Sequence, residues 1–118
     1  MTTLVLGASL NTARYSNRAV KLLRVHNHEV IGVGRETGKV VDVEIQSFFP
    51  DNKKVDTITM YLNPLHQQDY YAKIIDLKPR RIIFNPGAEN QELKTLAEQH
   101  GIKTEEACTL VLLNTGQY

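Results

Sequence analysis

The sequence predicts an α/β protein: a Rossmann-like, doubly wound, mainly parallel sheet with helices on both faces. Three observations lead there. Short apolar runs, TLVL (3–6), EVIGVG (29–34), DTITMYL (56–62) and RIIF (81–84), read as buried strands. Segments of helical spacing, ten to fifteen residues long, lie between several of them. Glycine or Asn-Pro closes the runs, where a strand gives way to a turn. Strands alternating with helices imply parallel pairing, and right-handed crossovers then wind the chain over both faces. With 118 residues, the expectation is one domain, 1–118.

Each element follows from local pattern. Strand 3–6 ends at Gly7. From Ser16, placed as a cap, Ala19, Val20, Leu22 and Leu23 recur at helical spacing. Asn27 and His28 turn the chain into strand 29–34. The run VVDVEI, 40–45, alternates as a short edge strand would, and FFPDNKK, 48–54, reads as a loop. After strand 56–62, Asn63 and Pro64 read as a cap and a first-turn proline. The helix they open runs to about Leu77, with Tyr70, Ile74, Ile75 and Leu77 inward. KPRR, 78–81, reads as a solvated turn before strand 81–84. A helix from about Asn90 to His100 buries Leu93, Leu96 and Ala97, and Gly101 stops it. Residues 102–113 hold a last strand and a closing segment.

Composition narrows the function. Lys and Arg total 14 against 13 Asp and Glu, a net charge of +1. A nucleic-acid binder needs a basic excess to displace phosphate counterions, so none is expected. The longest apolar run near the C-terminus, LVLL at 110–113, is far short of a membrane span. Cys108 is the only cysteine, which excludes an internal disulfide and fits a reducing cytoplasm.

In doubly wound sheets, ligands lie beyond the carboxyl ends of the strands, at the point where strand order reverses. That rule selects the loop LGASLNTARYS. Gly7 permits a tight turn, and Ala8 and Ser9 leave room. Ser9, Asn11 and Ser16 offer donors, and Arg14 can fork onto a phosphate. The following helix start favours an anion. Together these suit a phosphate or diphosphate. The dinucleotide fingerprint G-x-G-x-x-G is absent. At the second strand end, Gly34 gives space and Arg35 would attract a ribose phosphate, the 2′-phosphate of NADP or the 3′-phosphate of CoA. Glu36 keeps a ribose contact, and so NAD, open.

The residues GAS…N…RYS…A, the Asn63-Pro64 pair, FNPGAEN at 84–90 and EACTLVLLNTGQY at the end together resemble the small stand-alone CoA-binding proteins. These are similar to the CoA-binding domain of the succinyl-CoA synthetase alpha subunit. The resemblance implies a Rossmann-like domain holding coenzyme A or an acyl-CoA. Carried over by position, Gly7, Ala8, Ser9, Asn11, Arg14 and Ser16 would line the phosphate loop, with Tyr15 stacking or capping. Gly34 and Arg35 would flank the adenosine. Asn63 and Pro64 would border the pantetheine, with Asn85, Pro86 and Gly87 in the neighbouring loop. The chain departs from that pattern at Gly34-Arg35, where the family has Asn-Pro.

No catalytic constellation stands out. The four histidines form no H-E-x-x-H pair, and no G-x-S-x-G elbow or G-x-x-x-x-G-K-[ST] loop occurs. Cys108 reads either as a small buried residue or as a thiol able to form a mixed disulfide with CoA. The expectation is a non-catalytic binding or regulatory module. The rivals are an NADP-binding oxidoreductase-like protein using Arg35, and an interaction protein with a vestigial site. Edge strand 40–45 would leave an open side for a homodimer or another protein partner.

Overall fold

The computed structural model describes every residue except Asn52, so the 48–54 loop reading lies outside the described residues at that position. The strands are β1 (Thr2–Leu6), β2 (Glu29–Val33), β3 (Gly38–Val40), β4 (Val43–Gln46), β5 (Thr57–Met60), β6 (Arg81–Phe84) and β7 (Lys103–Glu106). They form a seven-stranded sheet in the order β3-β4-β2-β1-β5-β6-β7. All neighbours run parallel except the β3–β4 hairpin. The α/β, Rossmann-like class is the one the sequence predicts.

Central strands are apolar on both sides because helices cover both. Helix α1 (Tyr15–Val25) and the last helix, which spans Thr109–Asn114, share one face. There Val5, Val20, Leu23, Ile45 and Leu113 pack together. Three further helices are α2 (Pro64–Gln67), α3 (Tyr71–Leu77) and α4 (Gln91–Gln99), which makes the last helix α5. Ile74 of α3 and Leu93 and Ala97 of α4 bury the opposite face against Leu4, Ile58, Ile82 and Phe84.

β1 is the pivot. The chain leaves it toward β2 and β4, then returns to its other side as β5. The carboxyl ends of β1 and β5 therefore flank the switch point, where connections leave in opposite directions and a crevice opens.

Several local expectations need correction. The run 40–45 is not one strand. Val41 adopts a left-handed conformation (φ 57°), so the chain reverses and β3 and β4 form a hairpin. β4 is covered by β2 and β3, and the open edge on that side of the sheet belongs to β3. The helix expected from Pro64 to Leu77 is broken by a 3-10 turn at Gln68–Tyr70. Ser16 does not cap α1: the cap position is Arg14, which makes no side-chain capping bond, and Ser16 is buried in the first turn. KPRR is not wholly solvated. Arg81 is only 5% exposed, because its guanidinium bonds Thr57 Oγ1, Glu105 and the Tyr118 carbonyl and lies over the Tyr118 ring. Asn63 does cap α2, accepting from the His66 amide at 3.1 Å.

Arg80 forks onto Asp56 at 2.8 and 3.0 Å, and the Thr57 hydroxyl donates to the same carboxylate at 2.7 Å. This ties the entrance of β6 to the entrance of β5. These partners, the Arg80 bond foremost, hold the Asp56 carboxyl below its ordinary value. The stability it contributes is therefore fully present above the unfolded carboxyl's pKa of about 3.9 and is lost as pH falls through the lower, folded value. Urea midpoints followed from pH 6 to pH 2 should fall less steeply for Asp56→Asn than for the parent chain. An identical acid limb would show that Asp56 contributes nothing to it.

Candidate functional site

A cleft of about 960 Å³ opens at the carboxyl ends of β1, β2 and β5. The first loop forms one wall, through Gly7, Ala8, Ser9, Arg14, Tyr15 and Ser16. Gly34, Arg35 and Glu36 form the end beyond β2. Tyr61, Leu62 and Asn63 follow β5, and Pro86 follows β6. Asn11, Pro64, Asn85 and Gly87 lie outside this lining.

The first loop lies flush against the sheet because side chains are missing where it sits. Gly7 takes φ +98°, and a Cβ there would come within 3.0 Å of the Leu62 nitrogen. The Gly7 and Ala8 amides both donate to the Val33 carbonyl at 2.9 Å. The Ala8 carbonyl oxygen rests on Gly34, where a Cβ would stand 2.1 Å away. The direction in which a side chain at Gly34 would point is therefore taken by the protein's own backbone, while Gly34 itself still lines the cleft. Leu10 fills the place beside Gly38 that a side chain would occupy.

Beyond Ala8 the loop is held by short-range bonds. The Asn11 amide donates to Ser9 Oγ at 3.0 Å, the Ala13 amide to Asn11 Oδ1 at 2.9 Å, and the Arg14 amide to the Asn11 carbonyl at 3.0 Å. Asn11 thus shapes the loop from within. Helix α1 then begins with no acidic residue in its first turn and no side-chain cap. Its positive end is uncompensated, and Arg14, Tyr15 and Ser16 present it to the cleft. Tyr15 is 65% exposed, with the Arg18 guanidinium 5.4 Å from its ring centre.

The opposite wall is fixed by two buried amides, Gln67, which sequence reasoning missed, and Asn85, which it placed at the site for its motif. Gln67 is fully buried. Its Nε2 donates to the Leu62 and Ala88 carbonyls, both at 2.8 Å, and its Oε1 accepts from Asn90 at 2.9 Å. It joins the loops leaving β5 and β6. Asn85 is buried too, donating to Thr59 Oγ1 and the Met60 carbonyl and accepting from the Thr109 amide. It is a framework residue rather than a lining one. Burial pushes the Tyr61 phenol up to about 12, so its hydroxyl stays protonated at neutral pH. His66, Asp69, Tyr70 and Ser47 also line the cleft. Their helical or loop positions carry no local signal of this. Cys108 is half-buried at the cap position of α5, outside the lining.

Known proteins resemble the chain as follows. A family model described as a CoA binding domain matches residues 1–114. No curated protein matches. The crystal structure of an uncharacterized protein is 44% identical, with a TM-score of 0.95, covering 99% of this chain and 97% of its own. A Thermus thermophilus structure, cell-free ID.343, is 20% identical with a TM-score of 0.87, covering 99% and 90%. A hypothetical protein from Pyrococcus horikoshii OT3 is 17% identical with a TM-score of 0.81, covering 95% and 81%. The last two share the fold.

The Gly34 seat makes a direct prediction. Gly34→Ala should cost about 1–3 kcal/mol of stability, as forced overpacking does, because a methyl group cannot coexist with the Ala8 carbonyl. Urea denaturation measures this, and an unchanged midpoint would mean the loop does not rest on Gly34.

Proposed function

The chain belongs to the CoA-binding domain family, and on that premise we propose that it holds coenzyme A or an acyl-CoA in the switch-point cleft. The diphosphate would lie at the first loop and the start of α1, near Arg14. Arg35 would meet the 3′-phosphate. The β5 and β6 exits, around Asn63 and Pro86, would border the pantetheine. The observation that carries the reading is the uncapped, acid-free start of α1 facing a cleft that also holds Arg14 and Arg35. Anions bind where free amides, a helix dipole and guanidinium donors converge.

The role we infer is binding, carriage or regulation rather than catalysis. His66, Asp69 and Glu36 line the cleft, and no side-chain hydrogen bonds link them among the described residues. No described cluster of His, Cys, Asp and Glu could hold a metal ion. No described helix is long and apolar enough to cross a membrane. NADP is the second reading, favoured by Arg35 in the cleft, which could take a 2′-phosphate.

Calorimetry and thermal shift with CoA, 3′-dephospho-CoA, NADP and NAD separate these. CoA at one hundred times its dissociation constant should stabilise the fold by about 2.7 kcal/mol. Arg14→Ala and Arg35→Ala should each weaken CoA, and Arg35→Ala should leave 3′-dephospho-CoA nearly unaffected. A preference for NADP would transfer the site to the second reading, and no shift with any of the four would reject both.

A further inference from the structure

We propose that Asn17 is a positioning residue, which turns the Ser9 carbonyl inward and so keeps the first loop receptive to an anion. The proposal rests on the reading of that loop as the diphosphate site.

Asn17 lies in the first turn of α1 and is 1% exposed. Its Nδ2 donates to the Ser9 carbonyl at 2.9 Å. Its Oδ1 is buried and has no hydrogen-bond partner among the described residues. The orientation of the amide is fixed, since the reverse would set its oxygen against the Ser9 oxygen. A buried acceptor without a donor costs stability. An apolar side chain of similar shape would avoid that cost. What only Asn17 supplies is the grip on Ser9.

That grip matters for charge. A loop repels an anion through any carbonyl oxygen turned toward it. Two consecutive carbonyls in this loop are accounted for. The Ala8 oxygen rests on Gly34, and the Ser9 oxygen is tied to a side chain inside the protein. No cis peptide bond occurs among the described residues, so the N–H groups of Ser9 and Leu10 point opposite to those two carbonyls. Neither N–H makes a hydrogen bond among the described residues. The rest of the loop, through Asn11 to Arg14, bonds mostly to itself, and besides the Arg18 amide on the Arg14 carbonyl, Asn17 gives the loop its side-chain bond from the helix.

The test compares the full chain with Asn17→Leu and Asn17→Ala. Calorimetry uses CoA and ADP, which both carry the diphosphate, and amide hydrogen exchange follows residues 8–14. Asn17→Leu should keep or raise the melting temperature, weaken CoA and ADP by the same factor of ten or more, and speed exchange in the loop while α1 stays protected. Should both variants melt well below the parent, Asn17 is a structural residue and the proposal fails. It fails equally if the parent binds CoA and both variants bind it as tightly. If the parent binds neither probe, the diphosphate reading falls, and this inference falls with it.

Discussion

The close approach of backbone to backbone at the ends of β1, β2 and β5 governs this molecule. Three strand ends and the loop leaving β1 meet there with no side chain between them at Gly7 and Gly34. The Val33 carbonyl takes two amides from the loop, and the Ala8 carbonyl lies on Gly34. Packing this tight leaves the loop little freedom to choose another shape. The helix that follows inherits its starting point and direction from it. Both the mouth of the cleft and the placement of α1 against the sheet therefore depend on that contact.

The two walls are stiffened by different means. The first loop is seated by missing side chains and by a string of bonds among its own residues. The far wall is locked by side-chain amides, Gln67 and Asn85, that sit inside the protein and bond across strand exits. Charged groups appear only toward solvent, at Arg14, Arg35, Glu36 and Asp69. The cleft thus has a neutral, hydrogen-bonded frame with a charged rim, which suits a ligand that is charged at some points and neutral along the rest.

Much of the fold was legible because its signals are local. Short apolar runs such as IIF (82–84), bounded by turn signals, read as buried strands and formed as such, and Asn63-Pro64 announced a helix start that formed as read. The errors came where tertiary contacts override local pattern. VVDVEI alternates like a strand, yet Val41 turns it into a hairpin. Arg81 looked like a solvent residue because its partners, Thr57, Glu105 and Tyr118, are distant in sequence. The site divides the same way. Small residues and arginines at strand ends marked much of the lining. The roles of Gln67 and Asn17 were illegible, since a glutamine or asparagine on a helix shows its partners only after folding. Asn85 was noticed for its motif, but its side chain serves the frame.

The bonding of the far wall's two buried amides bears on how such a cleft could change over generations. Gln67 uses its two amide hydrogens and an oxygen lone pair on three different partners, and Asn85 does the same. Any single replacement strands several groups at once, so the far wall is nearly closed to stepwise drift. Arg35 and Glu36 carry no such obligations. A lineage acquiring a new ligand would rewrite the rim one residue at a time and pass the frame on unaltered.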